Sequence, residues 1–294
     1  MAKKKVIGTC ALCNKENIEL ELSHIIPRFV IGYLKKISIG KIRTVGKPNS
    51  VSQDSEKHYL LCGECEDRFN VFETQFAKKV FRPFQFGKFS TIEYDEWMNY
   101  FLTSVSWRSL IFDIEFFEEE GKIHPEDLKL LKASASAMKD YLMGSRADIG
   151  PIQNHLFFFG DLASIPEEYK GLQIHMSVLG SQGSYTIHNH VAGTHATFTN
   201  MMGILLFTIY SFGEEESWEN TRILVGKGTI GAGGQYITST LGMEIQFLAE
   251  SFERAKAQLS DKTKDNIAKT VEKNKDKIPG SRMLKLKLKD ISLE

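Results

Sequence analysis

The chain contains four cysteines in 294 residues, and all of them fall in two close pairs, Cys10-Ala-Leu-Cys13 and Cys62-Gly-Glu-Cys65. Two residues between paired cysteines let both thiolates turn toward one point, and two such knuckles complete a tetrahedral Zn²⁺ shell. A closed Cys₄ shell keeps no open coordination position, so zinc bound there is structural. A redox dithiol would need a thioredoxin-like βαβ surround, and neither pair has one. Between the pairs lies Ser23-His24-Ile25-Ile26-Pro27, which presents one histidine and is then closed by proline.

These residues need elements to hold them. Leu22 to Pro27 reads as the end of a strand. Tyr59-Leu60-Leu61-Cys62 reads as a second strand running into the second knuckle. Glu66 to Lys79 reads as a helix leaving that knuckle, with Phe69, Phe72, Phe76 and Val80 at helical spacing as its core-facing stripe. Knuckle, strand with histidine, long loop, strand, knuckle and helix together resemble a zinc-stapled HNH endonuclease of the His-Me finger (ββα-metal) class. The resemblance covers about the first 80 residues. It implies that His24 is the general base that activates water, and that a residue at the start of the helix holds a catalytic Mg²⁺ or Mn²⁺. Glu66, directly after Cys65, falls on that helix position, where the family usually has His or Asn. Ser23 falls where the family usually has Asp or His. Glu56, Lys57 and His58 stand where its middle asparagine would lie. The implied active site is therefore degenerate beside a well-kept scaffold.

Formal net charge is zero, with 37 Lys+Arg against 37 Asp+Glu, which argues against a generic nucleic-acid binder. The charge is unevenly spread. Residues 1–90 hold 16 basic and 9 acidic side chains, so the remainder carries 21 against 28. A basic zinc module on an acidic body fits a protein whose module alone touches phosphate. Lys41, Arg43 and Lys47 sit in a Gly-, Ser- and Lys-rich stretch from Ser38 to Asp54 and suit backbone contacts to nucleic acid, DNA being the expected partner. Lys3-Lys4-Lys5 is a further basic segment at the start. No apolar h-region follows it, and no run reaches the roughly 18 apolar residues of a membrane helix. Zinc-type cysteine usage fits a reducing compartment. The expected setting is the cytoplasm, without a membrane partner.

The rest of the chain divides by character. A helix from Tyr94 to about Phe117 is apolar on most sides and therefore buried. Ser104 and Ser106 lie in it, packing being the expected role. Pro125-Glu126-Asp127 opens another helix, running to about Met143. Beyond Gly144–Pro151 come short β-like runs: His155–Phe159, Leu172–Leu179, Ser184–His190, Ala196–Thr199 and Gly203–Phe212. Arg222–Val225 adds a strand. Gly226 to Gly234 reads as a flexible loop, since its glycines lack the spacing of a phosphate-binding turn. Ile237 to Leu259 reads as one amphipathic helix and Asp261 to Lys277 as a polar one. The alternating tail Met283–Leu293 reads as an edge strand. His188 and His190 would share a strand face with His195 nearby, but no carboxylate completes a metal set in the sequence, so the three read as surface or cross-strand histidines.

The expected architecture is α+β. A zinc-stapled HNH-like ββα-metal module spans residues 1–90, a helical region 91–147, and a mixed antiparallel-sheet and helix region 148–294. The expected function is metal-dependent hydrolysis of phosphodiester bonds in nucleic acid, in the defence or mobile-element setting that the resemblance implies. The alternative is a catalytically inactive zinc module for binding nucleic acid or protein, with the C-terminal region as a sensor or as the surface for a partner or second copy.

Overall fold

The computed structural model describes residues 5–293. It is a mixed α+β fold. The first strands, β1 (Val6–Gly8), β2 (Ile18–His24) and β3 (Lys57–Cys62), form a three-stranded antiparallel sheet in that order. Helix α1 (Arg28–Ile37) leaves β2 after Pro27 and buries Val30, Ile31 and Leu34. Helix α2 (Gly63–Phe76) starts directly from Cys62, with Glu64 and Glu66 in its first turn, where acids favour a helix N-terminus. It widens through a π-type turn at Ala77–Phe81 into α3 (Arg82–Gln85). Lys3 and Lys4 lie outside the described residues, while Lys5 pairs with Glu19 at 2.6 Å.

After β4 (Thr91–Tyr94) the chain enters α4 (Glu96–Glu120), then α5 (Pro125–Met143). Both carry sequence punctuation that the fold uses. Asp95 caps α4 by accepting from the Trp97 amide, and Gly121 ends it in the left-handed region. Pro125 opens α5 and Gly144 closes it at φ 81°.

The C-terminal half supplies β5 (Gln153–Phe158), α6 (Ile174–Leu179), β6 (Gln182–Asn189), β7 (Thr194–Met201) and β8 (Ile204–Ser211). Next come β9 (Ser217–Glu219), β10 (Arg222–Ile223), β11 (Gly228–Gly231) and β12 (Tyr236–Thr238). Helices α7 (Glu244–Ala257), α8 (Asp261–Lys273) and α9 (Arg282–Ile291) complete the fold. The large sheet is antiparallel in order β10-β5-β8-β7-β6. Every residue of β7 is buried, because α4 covers one face of the sheet and α6 packs Ile174, Val178 and Leu179 in one cluster with Phe198 and Phe207. Double coverage explains why Gly203–Phe212 reads as one apolar run instead of an alternating one.

Helix α4 is the spine. Phe101, Leu102 and Val105 share one hydrophobic cluster with Val30 and Leu34 of α1 and with Leu156 and Leu206 of the sheet. Trp107 and Leu110 share another with Cys10, Cys62, Cys65 and Phe69. The face that α4 turns to the sheet also carries polar groups. Asn154 Nδ2 donates to Asn99 Oδ1 and Thr103 Oγ1, both at 2.9 Å, while Thr208 Oγ1 donates to Asn154 Oδ1 at 2.6 Å. Ser106 meets Thr208 at 2.6 Å, so its role is this bond and not packing alone. Asn154→Ala strands several buried donors and acceptors at once. It is expected to cost about 2–4 kcal/mol, read as a lower urea midpoint at unchanged m-value. A loss below about 0.5 kcal/mol would contradict that account of the interface.

Four sequence expectations are corrected. Leu172–Leu179 is not a strand: Ile174–Leu179 is helix α6, whose first amides at His175 and Met176 are capped by the Asp290 carboxylate at 2.7 and 3.0 Å. The tail is not an edge strand. It forms α9, because Ser281 caps its start and Leu286 and Asp290, four residues apart, are its buried positions. Ile237–Leu259 is divided, its first residues belonging to β12 before Ser239 caps the turn that leads into α7. Gly226–Gly234 contains strand β11, paired to β4. There a Cβ on Gly228 would collide with the Tyr94 hydroxyl, so the glycine serves close approach and not flexibility.

Candidate functional site

The four cysteines converge. Their sulfurs all lie within 4.8 Å of one another, and Cys13 Sγ is 3.8 Å from Cys62 Sγ. A disulfide would need about 2.05 Å. Zn–S bonds of about 2.3 Å at tetrahedral angles put sulfurs about 3.8 Å apart, so the donor set and spacing fit a four-thiolate metal centre. The first knuckle is shaped by backbone: Asn14 N–H donates to Cys10 O at 2.9 Å, with Asn14 in the left-handed region at φ 59°. The second knuckle is the N-terminus of α2, where burial pushes the Cys62 and Cys65 thiols up, against the Cys65 amide that favours thiolate at Cys62. Burial pushes the Cys10 thiol up, yet amide donors from Cys13 and Cys62 outweigh it and hold it below the usual thiol range. The Cys62 amide stands 3.4 Å from Cys10 Sγ. Cys10, Cys62 and Cys65 are buried among Leu61, Phe69 and Trp107, so the centre ties the β1–β2 turn to α2 inside a core.

Beside it, β2, α2 and α4 enclose a cleft of about 180 Å³ lined by Leu22, His24, Arg28, Glu66, Asp67, Asn70, Glu73 and Arg108. Strand β2 breaks register with β3 between Glu21 and Leu22. The extra residue is Leu60 of β3, so β2 keeps its two-residue alternation. His24 therefore lines the cleft together with Leu22, while Ser23 between them is buried with its hydroxyl unpartnered and is not among the lining residues. On α2, Glu66, Asn70 and Glu73 follow at spacings of four and three, one helical face turned to the cleft and away from the buried Phe69 and Phe76.

Both residues singled out by the sequence carry a buried atom without a hydrogen-bond partner, His24 Nε2 and Glu66 Oε1. His24 Nε2 lies 3.3 Å from Asp54 Oδ1, inside ion-pair range but poorly aligned for a hydrogen bond. Burial pushes the Asp54 carboxyl up, but Lys57, with Nζ 3.1 Å from Oδ2, and His24 outweigh that and hold it well below the usual carboxylate range. Asp54 thus faces His24 as an anion.

Arg108 is the hidden member of the site. Only 1% exposed, it donates from Nη1 to His24 O at 2.8 Å, from Nη2 to Glu73 Oε1 at 2.8 Å and from Nε to Ser104 O at 3.2 Å. One guanidinium therefore fixes the backbone of His24 against both α2 and α4. Arg28 is exposed at the cleft and makes no ion pair among the described residues.

Lys41, Arg43 and Lys47 do not line the cleft. They lie in the connection between α1 and β3, where Arg43 Nη1 donates to Pro48 O at 3.1 Å. Among Glu56, Lys57 and His58, Lys57 serves Asp54 and His58 stacks on Phe112 at 3.9 Å. Arg28, Asp54, Asp67, Asn70, Glu73 and Arg108 are not singled out by the sequence. Asn70 and Glu73 were findable from their spacing to Glu66, and Arg108 from being a lone cation in an otherwise apolar helix, which demands a partner. Asp54 had no local signal. Elsewhere, the carboxylate lacking for the histidine group is supplied by Asp127 of α5, whose Oδ1 lies 2.9 Å from His190 Nδ1 and 3.0 Å from His195 Nε2.

No helix among the described residues is long and apolar enough to cross a membrane. Comparison of the chain with protein-family models, with curated proteins and with solved structures finds no match.

Proposed function

We propose that the cleft is the catalytic centre of an HNH-type, His-Me finger phosphodiesterase acting on nucleic acid, stapled by structural zinc on Cys10, Cys13, Cys62 and Cys65. The observation that carries the reading is one cleft that joins His24, whose Nε2 lies 3.3 Å from the Asp54 anion, to Glu66, whose buried Oε1 has no hydrogen-bond partner. A carboxylate oxygen left so inside a fold costs free energy unless a ligand satisfies it.

The donors fit a hard divalent cation. Glu66, Asp67 and Asn70 line the cleft with side-chain oxygens, the donors Mg²⁺ and Mn²⁺ prefer, and would hold the ion. An ion held there would neutralise charge developing on the phosphoryl oxygens. His24 removes a proton from the attacking water. With Nε2 facing the Asp54 anion, the neutral ring carries its proton there and leaves the lone pair on Nδ1. Arg108 acts through His24 by holding its carbonyl, and is a positioning residue. Arg28 meets backbone phosphate at the rim, and Lys41, Arg43 and Lys47 extend that contact along the α1–β3 connection.

Mn²⁺ binding followed by electron paramagnetic resonance tests the metal half of this reading. Wild type is expected to bind one ion competed by Mg²⁺. Glu66→Gln should weaken it at least tenfold at unchanged zinc content and melting temperature, since size is kept and charge is lost. Equal Mn²⁺ affinity in the two proteins would overturn the assignment of Glu66. One observation favours the second reading, a non-catalytic docking module: the Ser23 side chain is buried and offers the cleft no ligand from β2. That reading predicts no Mn²⁺ site in wild type.

A further inference from the structure

The start of α5 and the β6–β7 hairpin bring together a second set of metal-ligating side chains. His190, in the turn after β6, stacks on His124, the N-cap of α5, with ring centroids 3.7 Å apart. His124, Glu126 and His190 each offer one ligand atom, and these atoms lie within 4.8 Å of one another. Behind them sits Asp127, only 4% exposed. Its Oδ1 lies 2.9 Å from His190 Nδ1 and 3.0 Å from His195 Nε2, while its Oδ2 is buried without a partner. His195 Nε2 is likewise buried and poorly aligned for a hydrogen bond.

The chemistry is specific. Metal-binding histidines characteristically donate the other ring N–H to a carboxylate, which fixes the tautomer and the ring plane. His190 has that arrangement: Nδ1–H points at Asp127, so the lone pair is left on Nε2 at the surface. Two imidazoles and one carboxylate suit borderline first-row dications, in contrast to the oxygen donors of the cleft. We propose that this junction is a second metal site, taking a dication such as Zn²⁺, Ni²⁺ or Co²⁺ on His124, Glu126 and His190, with Asp127 as the carboxylate that orients His190. An ion bound there staples the hairpin to α5 across 63 residues of chain.

Co²⁺ is the probe, added to zinc-loaded full-length protein carrying Glu66→Gln, so that the cleft is weakened in every sample. Equilibrium dialysis should show one Co²⁺ per chain beyond the zinc. The visible spectrum should show d–d bands without the near-ultraviolet charge transfer of a thiolate ligand. Adding His190→Ala or Glu126→Gln should weaken uptake at least tenfold, and adding Asp127→Asn should weaken it about 10–100-fold. Glu126 is exposed, so its substitution leaves folding intact and keeps the test decisive. Absence of Co²⁺ uptake, or uptake unaltered by Glu126→Gln and His190→Ala, overturns the site.

Discussion

Cys62→Ser is expected to abolish folding of the N-terminal part of the chain, not merely to weaken it. Structural zinc on four thiolates contributes roughly 10–16 kcal/mol to small domains, as much as the whole stability of a typical fold, about 5–15 kcal/mol. Cys62 holds three positions at once. It supplies a sulfur, stands at the N-cap position of α2, and gives its amide to Cys10 Sγ. Without the ion, the thiols of Cys10, Cys62 and Cys65 are left inside the cluster that packs Phe69 against Trp107 of α4. Damage therefore spreads to the spine helix. Protein purified without chelator should carry one tightly held zinc per chain, and chelation should lower its melting temperature by more than about 10 °C. Zinc-free wild type, or a Cys62→Ser variant that melts with wild type, would contradict this.

Local chemistry made part of the molecule legible. The cysteine spacing announced a metal centre, and the sulfurs do converge. Pro125 marked the start of α5 and the glycine after Met143 its approximate end. His24 faces the cleft with Leu22 by strand alternation, and the buried Ser23 stands between them. What escaped was settled by distant partners. The run of Leu-Lys repeats after Met283 alternates like a strand. It becomes helical because Asp290 reaches His175 and Met176, 115 and 114 residues away. Residues 174–179 are apolar and short enough for a buried strand, yet their first amides are met by that same carboxylate. Asp54 reaches His24 only after the α1–β3 connection has folded back, and Asp127 meets His190 across the junction of helix and hairpin. Periodicity reports which face is buried; it does not report which polar group will be waiting there.

The second large effect concerns His24. Removing a general base costs roughly 10²–10⁴-fold in rate. His24→Ala should do so without disturbing the scaffold, because Arg108 holds the carbonyl of this residue and not its ring. Asp54, deprived of the imidazole, keeps Lys57, Lys35 and the Ser55 amide. Zinc content and melting temperature are therefore expected to stay at wild-type values while catalysis is lost. The direct measurement is cleavage of supercoiled plasmid DNA with Mn²⁺ or Mg²⁺, comparing wild type and His24→Ala prepared in parallel. Cation-dependent nicking is expected from wild type, with a loss of at least a hundredfold in the variant. Nicking at equal rates by both proteins, or no cleavage by wild type with either cation, would contradict it.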